Sequence, residues 1–212
     1  MRQCGVGAKI IALDRSQIST AAAMFARAFQ DDPLMVYALP DPRERARRLP
    51  EFYARMVRFG CLAGEVLSTE SLDGAAVWLP PDAKWTRENI EAAGLHELGK
   101  VIGEDAVLRY REVVGREMQA RSRDGSGPTW YLLLLGVEPS QQRRGLGATL
   151  LRPIFERADR ERLGCYLETE NERNVKFYRE HGFRVIVDGE IAGDSGVRFW
   201  TFRREPAASR DE

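Results

Sequence analysis

Histidine and cysteine are scarce in this chain: His96 and His181, and Cys4, Cys61 and Cys165, are the only ones among 212 residues. The cysteines are odd in number, far apart and without paired spacing, which argues against a disulfide framework and a thiolate zinc site. Two histidines do not make a histidine-rich metal centre, so no metal is expected. No stretch approaches the ~20 apolar residues that span a bilayer, and Met1 to Gly7 lack the apolar run of a secretory signal, so no membrane contact and a cytoplasmic location are expected. An excess of charge is missing too: Lys plus Arg equals Asp plus Glu at 32 each. Nothing in that balance draws the chain to nucleic acid, and a small-molecule or peptide partner fits better. The sequence leaves a homodimer open.

What is present is ordinary for a globular protein, 43% hydrophobic and 30% charged, and the length suits one domain over residues 1–212. Ile10 to Leu13 predicts a first strand, and Ser16 to Phe29 a helix with Ile18, Ala22, Phe25 and Phe29 on one face, stopped by Asp31-Asp32-Pro33. Arg45 to Cys61 predicts a second helix that buries Leu49, Phe52, Tyr53, Met56 and Val57 and leaves its arginines in solvent. Glu65–Ser68 and Gly74–Leu79 predict a hairpin around Asp73-Gly74. Residues 82–127 read as a helical insertion and loop, broken near Gly94 and Gly103, that covers one side of a sheet and carries no catalytic chemistry. Residues 204–212 read as a flexible tail.

The informative region is 130–183. Tyr131 to Val137 is a continuous apolar run of strand length, expected to be buried on both faces as a central strand. A polar, glycine-rich loop from Gln141 to Gly147 follows, and Ala148 to Leu163 then has helical spacing, with Pro153 expected to bend the helix. Strand, glycine loop and helix N-terminus form an anion cradle, because glycine permits close backbone approach and first-turn N–H groups point outward at the positive end of the helix dipole. Arg143 and Arg144 add charge suited to a pyrophosphate. A nucleoside-triphosphate loop would need lysine and serine or threonine after Gly147, where Ala148-Thr149 stand. A dinucleotide fingerprint would need glycine at Leu150.

The remaining pattern resembles the GNAT superfamily of acetyltransferases. Gln142, Gly145 and Gly147 occupy its acyl-CoA signature, Leu135-Gly136-Val137-Glu138-Pro139 resembles its strand end, and Asn174 to Tyr178 with Gly182-Phe183 resembles its second conserved region. Leu150 to Pro153, Tyr166 to Thr169 and Arg173 to Tyr178 are similar to the subgroup containing puromycin N-acetyltransferase. Arg143 departs from the small residue frequent at its place in the loop. The resemblance implies an α/β fold with a mixed, mostly antiparallel sheet splayed between the fourth and fifth strands, helices on both faces, and a helical insertion before the fourth strand.

The resemblance further implies acetyl-CoA as cosubstrate and direct transfer of its acetyl group to an amine. Leu135, Gly136 and Val137 would bind the pantetheine arm and thioester oxygen; Gln142, Arg143, Arg144, Gly145, Leu146, Gly147 and Ala148 would hold the pyrophosphate; Asn174, Phe177 and Tyr178 would contact the cofactor arm. Tyr178 is the candidate general acid, since a phenol is protonated at neutral pH. Glu168 is the candidate base, because the strand before the loop offers no carboxylate. His181 beside Gly182 suits a helix-capping role. A non-enzymatic acyl-CoA-binding module and transfer of a longer acyl group stay open as alternatives.

Overall fold

The computed structural model of the chain describes residues 8–124 and 127–207. Cys4, residues 125 and 126 of the expected loop, and residues 208–212 of the expected tail lie outside the described residues. Seven strands form one sheet: β1 (Ile10–Ala12), β2 (Glu65–Thr69), β3 (Gly74–Leu79), β4 (Thr129–Val137), β5 (Gly164–Thr169), β6 (Arg184–Ile191) and β7 (Arg198–Arg204), in the order β1-β2-β3-β4-β5-β7-β6. Only β4 and β5 pair in parallel; every other neighbour is antiparallel. A parallel pair needs a crossover, and helix α7 (Leu146–Glu161) supplies it.

Among the described residues, eight α-helices flank the sheet. On one face α1 (Ile18–Ala28) and α3 (Pro42–Ala63) pack Phe25, Phe52, Val57 and Phe59 against Val77 and Leu79. On the other, α7 and α8 (Arg173–Glu180) pack Leu150, Leu151, Ile154 and Tyr178 against Trp78, Leu167 and Phe202. The helices apply their stripes at 3.6-residue period and the strands alternate, which gives one core layer per face.

The insertion folds as α4 (Arg87–Ala93), α5 (Leu98–Ile102) and α6 (Glu104–Asp124). Thr86 caps α4 by accepting from Asn89 N–H at 3.1 Å, and Gly94, at φ 77°, ends it. Gly103, at φ 94°, makes the second break.

Four expectations need correcting. The segment after Asp31 does not merely stop α1: Asp32 accepts from Leu34 N–H and Pro33 takes the first helical position, which starts the short helix α2 (Pro33–Ala38). The arginines of α3 are not all solvated. Arg45 is 5% exposed and donates to the carbonyls of Gln30, Leu39 and Pro40, which clamps the turn before α3. Residue 204 is not tail: Arg204 closes β7 and holds Asp159 of α7 through two 2.8 Å bonds. β4 is not buried on both faces, since Leu133, Leu134, Leu135 and Val137 keep partial exposure. The cause lies in how β4 leaves β5.

Candidate active site

β4 and β5 pair only at Thr129–Gly164, Trp130–Cys165 and Tyr131–Tyr166. Beyond Tyr131, β4 stays paired to β3 and β5 stays paired to β7, so a gap opens between two strands that each remain held from outside. A bulge accompanies the parting. Val77 faces Leu134 while Trp78 faces Leu132, which leaves Leu133 without a partner. An extra residue bends and twists its strand, and the apolar run Leu132–Leu135 gives no sign of it in sequence. The edge of Leu132 to Val137 that faces β5 therefore carries backbone groups with no ladder partner. Gly136 has a packing reason of its own: a Cβ there would lie 2.6 Å from the Phe25 ring of α1.

The glycine loop sits at the outer end of this gap. Glu138 anchors its start, gripped by Arg27 of α1 at 2.7–3.0 Å, and the Gln142 amide donates to Val137 C=O at 3.1 Å. Arg143 adopts φ 61°, a left-handed conformation where glycine is the usual occupant, so the departure from a small residue falls on a strained position. Gly145 follows at φ 85° as the N-cap of α7 and offers no side-chain cap. The first intrahelical bond of α7 runs from Thr149 N–H to Gly145 C=O, leaving the N–H groups of Leu146, Gly147 and Ala148 without intrahelical acceptors. A Cβ on Gly145 would meet nothing within 4 Å, whereas one on Gly147 would press the Phe177 ring at 3.2 Å. Exposed Arg143 and Arg144 stand beside these donors. Outward N–H groups, a helix dipole and two guanidinium groups suit a diphosphate.

Helix α8 forms the opposite lip. Asn174 Nδ2 donates to Thr169 Oγ1 at 3.0 Å, tying the helix to the end of β5. His181 Nδ1 lies 2.7 Å from Phe177 C=O and Gly182 turns at φ 84°, the expected capped end. Tyr178 is 6% exposed, with its ring against Phe177, Phe183 and Phe202 at 5.2–5.7 Å. Burial raises the pKa of its phenol, and the charges of Glu170 and Asp32 push the same way. The hydroxyl thus stays protonated at neutral pH.

Glu168 lies on the parted stretch of β5, on the face opposite Leu167. Burial pushes its pKa up to about 7; hydrogen bonding from Tyr131 and the charge of Arg121 hold it back from rising further. Arg121 stacks over Tyr131 at 4.2 Å and Tyr166 at 5.2 Å. α6 of the insertion carries Arg121 and a second acid, Glu117, which is 6% exposed and faces Glu170. Asp32 completes the group from the α1–α2 turn, its pKa raised by burial and by Glu170. Sequence reading missed Asp32, Glu117 and Glu170, because they are scattered over 139 positions and share no motif.

The arrangement therefore joins an anion cradle, an open strand edge, a protonated phenol and a carboxyl that titrates near neutrality around one gap. Residues 80–183 match the acetyltransferase (GNAT) family. The chain carries a GNAT acetyltransferase domain. An uncharacterised N-acetyltransferase of Schizosaccharomyces pombe is 28% identical over 172 residues, 77% of this chain and 69% of the yeast protein. Among solved structures, a histone acetyltransferase HPA2 and related acetyltransferase from Corynebacterium glutamicum superposes with TM-score 0.68 at 18% identity, covering 97% of this chain and 99% of that one. The polyamine N-acetyltransferase of Drosophila melanogaster does so with TM-score 0.57 at 17% identity, covering 93% and 99%. These likenesses extend the shared fold over nearly the whole chain. Acetyltransferases of this family use acetyl-CoA, and the donors of the α7 cradle fit its diphosphate.

Proposed function

We propose that the chain moves the acetyl group of acetyl-CoA directly to the amine of a small molecule or peptide. The observation that carries this reading is the parting of β4 from β5 after Tyr131, with the uncapped start of α7 at its outer end and Glu168 on its open strand. Leu146, Gly147 and Ala148 N–H with Arg143 and Arg144 hold the diphosphate, and Gln142 fixes the loop to the strand end. The unpaired edge of Leu135 to Val137 binds the amides of the pantetheine arm and directs the thioester carbonyl toward backbone N–H. Asn174 and Phe177 border the arm on the α8 side.

Glu168, with a pKa of about 7, accepts a proton from the incoming ammonium group, directly or through water. The neutral nitrogen attacks the thioester carbon and a C–N bond forms; as the tetrahedral intermediate collapses the C–S bond breaks, and the second proton of the nitrogen passes to water, which leaves a neutral amide. Tyr178 gives its proton to the departing thiolate and regains one from solvent. No metal takes part in this scheme.

Mass spectrometry of a panel of primary amines incubated with the protein and acetyl-CoA tests the reading. The expected result is an amide product and stoichiometric free CoA. Acetyl-CoA binding without turnover of any amine would make the chain a binding module, and absence of acetyl-CoA binding would overturn the cradle itself.

A further inference from the structure

The acids beyond Glu168 have a composition of their own. Glu117 of α6 is nine-tenths buried, and its Oε1 has no hydrogen-bond partner. Its neighbours are more carboxylates: Glu170 just past β5, Glu168, and Asp32. Among the described residues the charge of Asp32 is offset by the backbone N–H groups of Leu34 and Met35, and Arg121 faces Glu168 and Tyr131 rather than this end of the cluster. Aromatic rings lie beside the same acids: Tyr53 stacks on Phe29 at 5.3 Å and on Phe25 at 5.9 Å, and Tyr110 meets Phe52 at 5.4 Å. The phenols of Tyr53, Tyr110 and Tyr178 all sense both Asp32 and Glu170. A buried carboxyl oxygen left unpaired is costly and is found where something else supplies its partner. Among the described residues no three His, Cys, Asp or Glu side chains converge closely enough to hold a metal ion. An organic cation, spread over several acids and aromatic faces, fits the arrangement.

We propose that the acceptor of this acetyltransferase is a dication, a diamine in which one nitrogen is acetylated at Glu168 while the far ammonium is held by Glu117 and Glu170 with Asp32. This inference rests on the proposed function. Glu117 and Glu170 are binding groups in it, and Glu168 handles the proton. A diamine brings the positive charge that the acids lack, so its second nitrogen ionises them and occupies Oε1 of Glu117. A monoamine of equal length buries an alkyl end among carboxyls and gains nothing there.

The test compares putrescine and cadaverine with butylamine and pentylamine, in wild type and in Glu117→Gln and Glu170→Gln. Wild type should show kcat/KM at least about tenfold higher for each diamine than for its monoamine, the loss expected when a buried charged group goes unpaired. In the variants the diamine-to-monoamine ratio of kcat/KM should collapse, through a higher KM for the diamine. Diamine alone should raise the melting temperature of wild type and not of the variants, a readout independent of catalysis. Equal kcat/KM for diamines and monoamines would overturn the inference and leave the proposed function standing. Turnover of neither, with diamine stabilisation intact, would overturn the function and keep the cation site. Stabilisation by calcium or magnesium in place of the diamine, or a preference that survives both substitutions, would also overturn it.

Discussion

Asn174 Nδ2 donates to Thr169 Oγ1 at 3.0 Å, and the same hydroxyl accepts from Asn171 N–H at 3.3 Å, so one threonine at the end of β5 organises the start of α8. Because Thr169 is buried, this bond fixes where Asn174 stands on the lip of the gap. Asn174→Ala and Thr169→Val should each raise KM for acetyl-CoA about fivefold, the effect of roughly 1 kcal/mol from one hydrogen bond, with kcat retained. The double variant should be no worse than the poorer single one, because the two act through one interaction. Additive losses would show that Thr169 only supports the fold.

Gly145 is constrained by its φ of 85°, and a side chain there would stand in open space. Gly145→Val should lose about 1–2 kcal/mol of stability from forcing a β-branched residue into the left-handed region. Gly145→Asn should lose much less, since asparagine tolerates that region. Both side chains project into the volume assigned to the diphosphate, so both should weaken CoA at least about tenfold in calorimetry. Normal binding by the folded asparagine variant would move the diphosphate away from Gly145.

The raised pKa of Glu168 ties turnover and stability to pH in opposite directions. Its folded value, about 7, lies above the ordinary 4.5, so the folded state holds the proton more tightly. Stability should fall as pH rises from about 4.5 through 7, while kcat should rise as the carboxylate forms. Glu168→Gln removes both effects. The variant should melt higher than wild type at pH 8 and close to it below pH 4.5, and its kcat should drop roughly 10²-fold and lose the inflection near 7. A variant that melts lower at pH 8 with kcat intact would make Glu168 a structural partner of Tyr131 and Arg121.

Much of the fold was legible because local chemistry and tertiary context agree. The hairpin at Asp73-Gly74, the breaks at Gly94 and Gly103, and the loop from Gln141 to Gly147 each announce themselves within a few residues. What escaped depends on distant partners. The bulge at Leu133 is a property of pairing with Val77 and Trp78, and four leucines in a row cannot say which one goes unpaired. Arg45 reads as one more charge on a polar helix face, yet three carbonyls of the preceding turn bury it. Glu117 reads the same way on α6. Its burial comes from docking against α2 and β7, which no helical period encodes. The loop from Gln141 to Gly147, Asn174 and Glu168 stand on elements that border the parting of β4 from β5, whereas the acids Asp32, Glu117 and Glu170 had to be found in three dimensions.

Tyr178→Phe separates chemistry from packing most sharply. The ring is nearly inaccessible and touches Phe177, Phe183 and Phe202, and phenylalanine keeps all of those contacts. The melting temperature should stay near wild type, and CoA affinity should change little because the cradle of α7 is untouched. Proton donation by a positioned acid contributes roughly 10²–10⁴-fold, so kcat should fall at least about tenfold even where water partly substitutes. The loss should shrink for a thioester whose thiolate leaves easily, because a better leaving group has less need of the proton. Slow product release could mask the chemical step, so the comparison belongs in single-turnover measurements. Burial and the charges of Glu170 and Asp32 keep the phenol protonated, so the ratio of wild-type to variant rate should stay flat from pH 6 to 9. An unchanged single-turnover rate would remove Tyr178 from the mechanism and leave proton delivery to solvent entering the gap between β4 and β5.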